Sequence, residues 1–411
     1  MSREIDRRTF LGGLAGVGVA IGGGGRLLGG LGRRGGGAPA LPADPFQLGV
    51  ASGDPLPDSV VLWTRLAVDP TSPEPMPPVQ VPVRWEVAAD ERFAKVVRSG
   101  RRTTGPDLGH SVHADVRGLD AGHDYFYRFR VGDYVSATGR TRTAPASDRR
   151  LNRLNFAVTS CQSYQAGYYT AYEQMSRDDL AFVVFLGDYI YELPLGSVRQ
   201  HGLPPSVTLD DFRRHYAAAH ADPQLQAAHA AAPWIMTWDD HEVEDNYAGL
   251  HPGELGKARE PDSVATFPAK RAAAYRAWWE NVPVRAKPPG TDGSMRIYRS
   301  FRFGDLVTLP VADDRQYRTP EATEGQGPAT PPGGGPLLPA ALDPKATILG
   351  KEQERWLSRN LDASNAQWNV LAQQTQMAAV DHTPEDGSAS GYDADTWDGY
   401  VAARNRLLGH V

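Results

Sequence analysis

Four apolar runs in this sequence end in side chains that bind metals or move protons. Leu154 to Thr159 leads to Ser160-Cys161, and Leu180 to Leu186 runs into Gly187-Asp188-Tyr189-Ile190-Tyr191-Glu192. Trp234 to Trp238 runs into Asp239-Asp240-His241-Glu242, with Asp245-Asn246 just beyond, and Val311-Ala312 leads to Asp313-Asp314-Arg315. An unbroken apolar run such as 180–186, rich in Val and Phe and closed by glycine, reads as a strand buried on both faces of a parallel sheet. Ligands of open α/β sheets bind at the carboxyl ends of the strands, so Asp188 stands where a metal or a substrate is met. For one Gly-Asp alone, a helix cap is an equal reading. Repetition separates the two: an uncompensated buried carboxylate costs roughly several kcal/mol, and metal ions at a shared rim would supply the compensation.

Strands alternating with helices are needed to position these residues, and the sequence from 151 onward supplies them. Helices are expected over Gly167–Arg177, over Thr208–His220 with Thr208 as cap, over Pro268–Val282 with Pro268 in the first turn, and over Gly350–Asn360 and Trp397–Leu408. Strand patterns fall at Arg296–Leu309 and Trp368–Gln373. This alternation argues for an α/β layered domain over 151–411. Pro320–Pro344 is a Pro/Gly-rich loop and His382–Asp395 a polar, acidic one. Residues 45–145 read differently, as short alternating strands between Gly, Pro and Asp turns, which suggests an antiparallel β-sandwich. Leu119 to Tyr127 resembles the fibronectin type III pattern, with Tyr125 as its tyrosine corner. The expected fold is therefore α+β, a fibronectin III-like sandwich followed by an α/β layered domain.

The first 40 residues carry Arg7-Arg8-Thr9-Phe10-Leu11, a Gly/Ala/Val/Leu stretch and Ala38-Pro39-Ala40, the anatomy of a twin-arginine export signal. The stretch is too short and glycine-rich, and interrupted by Arg26, for a spanning helix, so no stable membrane anchor is expected after cleavage. The expected location is periplasmic, cell-wall-associated or extracellular, with the twin-arginine translocase as a partner. This segment contributes +4 to a chain of net charge −6, which leaves a body near −10. Such a body argues against a nucleic-acid-binding surface and suits divalent cations. Cys161 is the single cysteine, so no internal disulfide can form.

Cys161 after a strand, Gly187-Asp188-Tyr-Ile-Tyr191-Glu192, Trp238-Asp-Asp-His-Glu-Val-Glu-Asp-Asn246, Asp313-Asp-Arg-Gln-Tyr-Arg318 and Trp397-Asp-Gly-Tyr400 together resemble the alkaline phosphatase D (PhoD-like) family, from about Phe46 onward. The resemblance implies a calcineurin-like metallophosphoesterase domain, an αββα sandwich holding Fe3+ and Ca2+. Carried over residue by residue, Cys161, Asp188 and Tyr191 bind iron, and Asp188 bridges to calcium. Thiolate and phenolate suit trivalent iron better than calcium, which takes oxygen ligands. Asn246, with Asp240, is a calcium ligand. His241 is a ligand or a donor to the phosphate, and Arg315 holds a phosphate oxygen or pairs with Asp313 or Asp314.

The implied activity is hydrolysis of a phosphate monoester or diester by a metal-activated hydroxide attacking in line. A phospholipase D-type phosphodiesterase and an inactive, calcium-stabilised cell-surface binding protein are the alternatives. The family pattern continues beyond Trp397-Asp-Gly-Tyr400 to a Gly-Asp-x-His motif that this sequence does not contain. The expectation is a truncated chain with a partly built site, for which Asp381, His382 or His410 are substitute ligands.

Overall fold

Eight strands form the N-terminal region: β1 (Val50–Leu56), β2 (Ser59–Arg65), β3 (Val81–Ala88), β4 (Val96–Thr104), β5 (Ser111–Arg117), β6 (Asp124–Val131), β7 (Tyr134–Val135) and β8 (Gly139–Arg142). In β3, Val81, Val83, Trp85 and Val87 turn inward while Arg84 faces solvent, the period of two that a half-buried strand requires. The computed structural model describes residues 39–253, 263–320, 339–381 and 391–411. Nearly all of the export signal read at 1–40, His382, and much of the loops read at Pro320–Pro344 and His382–Asp395 lie outside the described residues.

Strands β3, β4, β6, β7 and β8 form one antiparallel sheet. The Tyr125 hydroxyl accepts the Asp120 N–H at 2.9 Å, the contact expected of a tyrosine corner. The other strands of this region behave differently from a self-standing sandwich. They join β9 (Phe156–Thr159), β10 (Phe182–Phe185) and β11 (Trp234–Met236) in a six-stranded sheet of order β5-β2-β1-β11-β10-β9. The two sheets of the 45–145 region face each other across a shared core that includes Val60, Leu62, Val83, Val112, Tyr127 and Phe129, and one of them continues into the strands that carry the candidate site. The seam is Gly53, paired in parallel with Trp234. A Cβ there would lie 2.6 Å from the Trp234 carbonyl oxygen and 2.2 Å from that of Pro283, so only glycine lets the two halves meet.

Strand β10 explains why its sequence is apolar without a break. Val183 and Phe185 enter an aromatic core with Trp234 and Trp278, while Phe182 and Val184 enter a second core with Phe301, Leu309 and Val311. Helices α1 (Thr170–Met175), α2 (Leu209–His220), α3 (Pro223–Ala231) and α4 (Ser263–Asn281) contribute to the first core. The second core is closed by β12 (Arg299–Phe303) and β13 (Val307–Val311), an antiparallel pair extended in parallel by the short β14 (Trp368–Asn369). The result is a mixed α/β fold with helices, a central sheet and a smaller sheet in contact.

Local chemistry sets the element ends. Thr208 and Asp211 form a reciprocal capping box on α2, in which Thr208 Oγ1 accepts the Asp211 N–H at 3.2 Å and Asp211 Oδ2 accepts the Thr208 N–H at 2.9 Å. Helix α4 starts five residues before the expected Pro268, which sits in its second turn. Ala274, Ala277 and Trp278 on its buried face supply packing that offsets the hydrogen bond lost at proline. Two further helices, α5 (Gly350–Asp362) and α6 (Val401–Leu408), share a small core with Trp397 and Tyr400. The Trp397 segment itself opens as a 3-10 turn before α6.

Candidate metal centre

The parallel register of β9, β10 and β11 brings three strand ends to one rim. Backbone contacts then lock them together. Gly187 O accepts the Cys161 N–H and Asp188 O the Gln162 N–H, both at 3.0 Å. A Cβ on Gly187 would lie 2.3 Å from the Asp239 nitrogen, so the loop after β10 lies flat against the loop after β11 only with glycine there. Glu242, 1 % exposed, completes the join: its carboxylate accepts the N–H groups of Asp188 at 3.0 Å, Tyr189 at 2.6 Å and Asp239 at 2.8 Å.

The rim is also where the backbone is strained. Among the described residues six non-glycine positions have positive φ, and three of them are the candidate ligands Cys161 (54°), Asp188 (60°) and Asn246 (56°). Left-handed backbone at such residues persists only where the surroundings over-determine it, as functional sites do.

Asp188, Asp240 and His241 come together so that one ligand atom from each lies within 4.8 Å of the others. Asp188 is buried, accepts the Tyr191 hydroxyl on Oδ2 at 3.1 Å, and is hydrogen-bonded by the Cys161 thiol. Its other oxygen, Oδ1, is buried with no hydrogen-bond partner. Burial, then the charge of Asp240, pushes the Asp188 carboxyl up to about 6. Burial and the Asp188 charge push the Cys161 thiol up to about 12, and the same two causes raise the Tyr191 phenol. Each of these groups resists ionising where it stands, and a cation among them would reverse that resistance. The Cys161 side chain is solvent-exposed, Tyr191 is half-buried, and the Tyr191 ring packs on His241 with centroids 4.3 Å apart.

Asn246 closes the second side. Its N–H donates to Asp240 Oδ2 at 2.6 Å, and its side-chain amide lies 3.1 Å from that oxygen and 3.2 Å from both Asp395 oxygens. With nitrogen toward them the amide donates; with oxygen toward them it needs a cation between. Burial works against the Asp240 charge, but Arg315 and His241 outweigh it and hold the carboxyl below its usual range. His241 Nδ1 bonds Glu192 Oε2 at 2.8 Å, and although burial opposes its charge, Asp240 and Glu192 lift the imidazole up to about 11.

The orphaned Asp188 oxygen, the converging oxygen, nitrogen and sulfur donors and the strained ligand backbones all fit bound cations. The five ligands carried over from the resemblance (Cys161, Asp188, Tyr191, Asp240, Asn246) are each tied to this cluster by at least one contact.

Of the two expected roles of Arg315, the ion pair with Asp313 or Asp314 is replaced by one with other acids. Arg315 is 2 % exposed; Nε donates to Asp239, Nη1 and Nη2 grip Asp395 at 2.5 and 2.8 Å, and Nη2 lies 3.4 Å from Asp240. All three nitrogens thus face carboxylates. Asp313 instead accepts Trp238 Nε1 at 3.1 Å and three groups of Arg315 and Gln316, and so shapes the turn. Of the substitute ligands, His410 pairs with Asp362 at 3.0 Å.

Sequence reasoning left Glu192, Glu242, Asp239, Arg318 and Asp395 without roles. The first four lay inside the quoted motifs, and for the three acids the signal was an excess of acids over the ligands needed. Asp395 sits in an acidic loop far along the chain; only the fold brings it to Arg315 and Arg318, which hold its carboxyl well below the usual range against burial.

The chain is 46 % identical over 382 residues to alkaline phosphatase D of Bacillus subtilis (strain 168), a match covering 91 % of this chain and 63 % of that protein. The chain therefore spans just under two thirds of the curated relative. A solved structure of PhoD superposes with a TM-score of 0.84 at 45 % identity, covering 91 % of this chain and 70 % of that one. Residues 34–145 match the N-terminal domain of PhoD-like phosphatases. Residues 156–411, which carry every residue of the rim, match the PhoD-like phosphatase itself, and the chain belongs to that family.

Proposed function

We propose that this chain is a phosphoric ester hydrolase acting on a phosphate monoester or diester at the rim of β9, β10 and β11. The observation that carries the reading is the convergence of Asp188, Asp240 and His241 around a buried carboxylate oxygen with no partner. Cys161, Asp188 and Tyr191 would hold Fe3+, and Asp188, Asp240 and Asn246 would hold Ca2+, following donor hardness. Bound there, such ions supply positive charge for the phosphoryl oxygens and acidify water.

The chain's own residues do the rest. Glu192 holds the Nδ1 side of His241, and Nε2, 3.7 Å from Asp245 Oδ1, is the side that would meet the substrate or its leaving oxygen. Arg315 anchors Asp239, Asp240 and Asp395, and acts on the reaction through them. Glu242 keeps the Asp188 and Asp239 backbones in register. We also infer, from Arg7-Arg8 and the apolar stretch after it, export by the twin-arginine route to the periplasm, cell wall or medium, and a fibronectin III-like ancestry for the strands before 145.

The test is an assay of purified protein on p-nitrophenyl phosphate and on bis(p-nitrophenyl) phosphate, with iron and calcium analysis before and after chelation. The expected result is turnover of at least one ester that chelation removes and metal restores. Folded protein that carries both metals and hydrolyses neither ester would sink the proposal. Iron content unchanged by Cys161→Ser would remove the thiol from the ligand set.

A further inference from the structure

A cavity of about 310 Å3 lies between the proline-rich loop at 70–78, the turn at Pro106–Gly109 and helix α2, with no residue in common with the metal centre. Its volume falls in the range of small-molecule sites, about 300–1,000 Å3. Helix α2 stands between the two. Arg213, Arg214 and Ala217 line the cavity, whereas His215 bonds the Tyr191 carbonyl through Nδ1 at 3.0 Å.

Two buried groups face this cavity without adequate partners. Arg65 is 3 % exposed, yet its acceptors are all neutral: Nε donates to Gly109 O, and Nη1 donates to Arg213 O and to Asn281 Oδ1, each at 3.0 Å. Among the described residues its Nη2 has no acceptor and no carboxylate forms an ion pair with it. Burial pulls the guanidinium down to about 10, partly opposed by the nearby Glu280. Glu280 is itself taken by Arg213 at 2.7 and 2.8 Å and by Arg276 at 2.8 Å. A buried cation held only by neutral acceptors is costly unless an anion completes it.

The second group is His110, 6 % exposed, whose Nδ1 is buried with no partner. Its backbone is held at φ 58°, which aims the ring by constraint rather than by preference. Burial, with Arg65 and Arg213 beside it, pushes its pKa down to about 4, so the ring is neutral at pH 7 and can donate through Nδ1.

We propose that this cavity binds a small monocarboxylate with a flat apolar body, the carboxylate meeting Arg65 Nη2 and His110 Nδ1. One unpaired guanidinium matches a single negative charge. A phosphate dianion brings more charge than Arg65 balances, and the exposed Glu74 and Asp210 at the rim oppose it more strongly than they oppose a monoanion. Met76 and the prolines of the loop present flat apolar faces to the ligand body.

The experiment is calorimetric titration of benzoate, and separately of inorganic phosphate, into the metal-loaded full chain. Saturable benzoate binding in the millimolar range or tighter is expected, with phosphate failing to displace it. Arg65→Met is expected to abolish binding, but Arg65 also ties together Gly109, Arg213 and Asn281 and its loss threatens the fold. His110→Gly, which tolerates the positive φ, and Ser72→Trp, which fills the cavity from the side of the proline-rich loop, are therefore the deciding variants. Each is expected to weaken benzoate binding at least about tenfold, with a cooperative thermal transition retained. Absence of saturable heat, or affinity unchanged in both variants, overturns the site. Equal competition by phosphate overturns the ligand class.

Discussion

Asp188 and Tyr189 are neighbours in the chain, yet they enter two buried polar clusters that solve burial in opposite ways. Tyr189 points back under the sheet, where its hydroxyl bonds His229 Nε2 at 2.8 Å and His220 Nδ1 at 3.2 Å, and His220 Nε2 bonds the Asn281 carbonyl at 2.9 Å. His220 stacks on Trp63 and His229 on Trp234. Burial drives both imidazoles toward the neutral form, His220 down to about 3, so this cluster carries no charge. Asp188 points the other way, into Asp239, Asp240, His241 and Arg315, where charges balance charges and one carboxylate oxygen is left over. Removing protons makes a cluster whose unpaired atom, His229 Nδ1, is uncharged. Keeping the charges makes one that wants a further cation.

The largest test of that contrast is Asp188→Asn. It removes the buried charge and the proposed bridging ligand together. Activity on either ester is expected to fall by at least about 10^3-fold. In chelated protein the thermal midpoint is expected to rise, because the amide needs no countercharge. A chelated variant that melts below its parent would show that Asp188 stabilises the fold, and would end the contrast.

Glu242→Gln comes next. The amide can replace only part of an acceptor set that serves three N–H groups in two loops, so Asp188 and Asp239 lose their common register. A roughly 10- to 100-fold fall in kcat is expected, with iron affinity weakened by a similar factor. Stability is expected to drop by about 1–3 kcal/mol, the cost of leaving a buried donor without a partner. If kcat stays within about twofold of the parent while stability falls as expected, Glu242 is structural only.

These two residues also show what the sequence could reveal. Asp188 was legible because an apolar run that stops at Gly-Asp can be read without knowing the fold, and β10 then lies buried on both faces where the run predicts it. Glu242 sat in plain view within Asp-Asp-His-Glu, but its role depends on two loops meeting at Gly187, a contact between residues more than fifty positions apart. The ion-pair partners of Arg315 were hidden for the same reason: its nearest acids in sequence are Asp313 and Asp314, and its partners in space are Asp239 and Asp395. The reading of 45–145 did not reveal the seam, because β1 is buried almost throughout and nothing in its residue pattern says which strand pairs with its edge. Local period survives in one dimension, and long-range pairing does not.

Tyr189→Phe probes the neutral cluster directly. It deletes the hydroxyl that serves His229 and His220 while keeping the ring packed among Phe185 and Tyr216. A loss of about 1–3 kcal/mol in urea unfolding is expected, with ester hydrolysis within about threefold of the parent. A fall in activity comparable to that of Glu242→Gln would mean that the two clusters act as one.

The smallest effect is the most diagnostic of how the neutral cluster is kept neutral. His220 is 1 % exposed and its folded pKa lies near 3, below the ordinary 6.5 of the unfolded chain. The unfolded state therefore binds the proton first as pH falls. The stability this group contributes is complete above about 6.5 and declines by about 1.4 kcal/mol per pH unit until the folded value is reached. Replacing it by His220→Gln, whose amide can still donate to Asn281 O, removes that dependence. In chelated protein the stability gap between parent and variant, measured by urea unfolding at pH 7 and pH 5, is expected to change by about 2 kcal/mol toward the variant on going to pH 5. Parallel curves would mean that His220 accepts a proton inside the fold, and that the aromatic cluster, like the metal centre, carries charge.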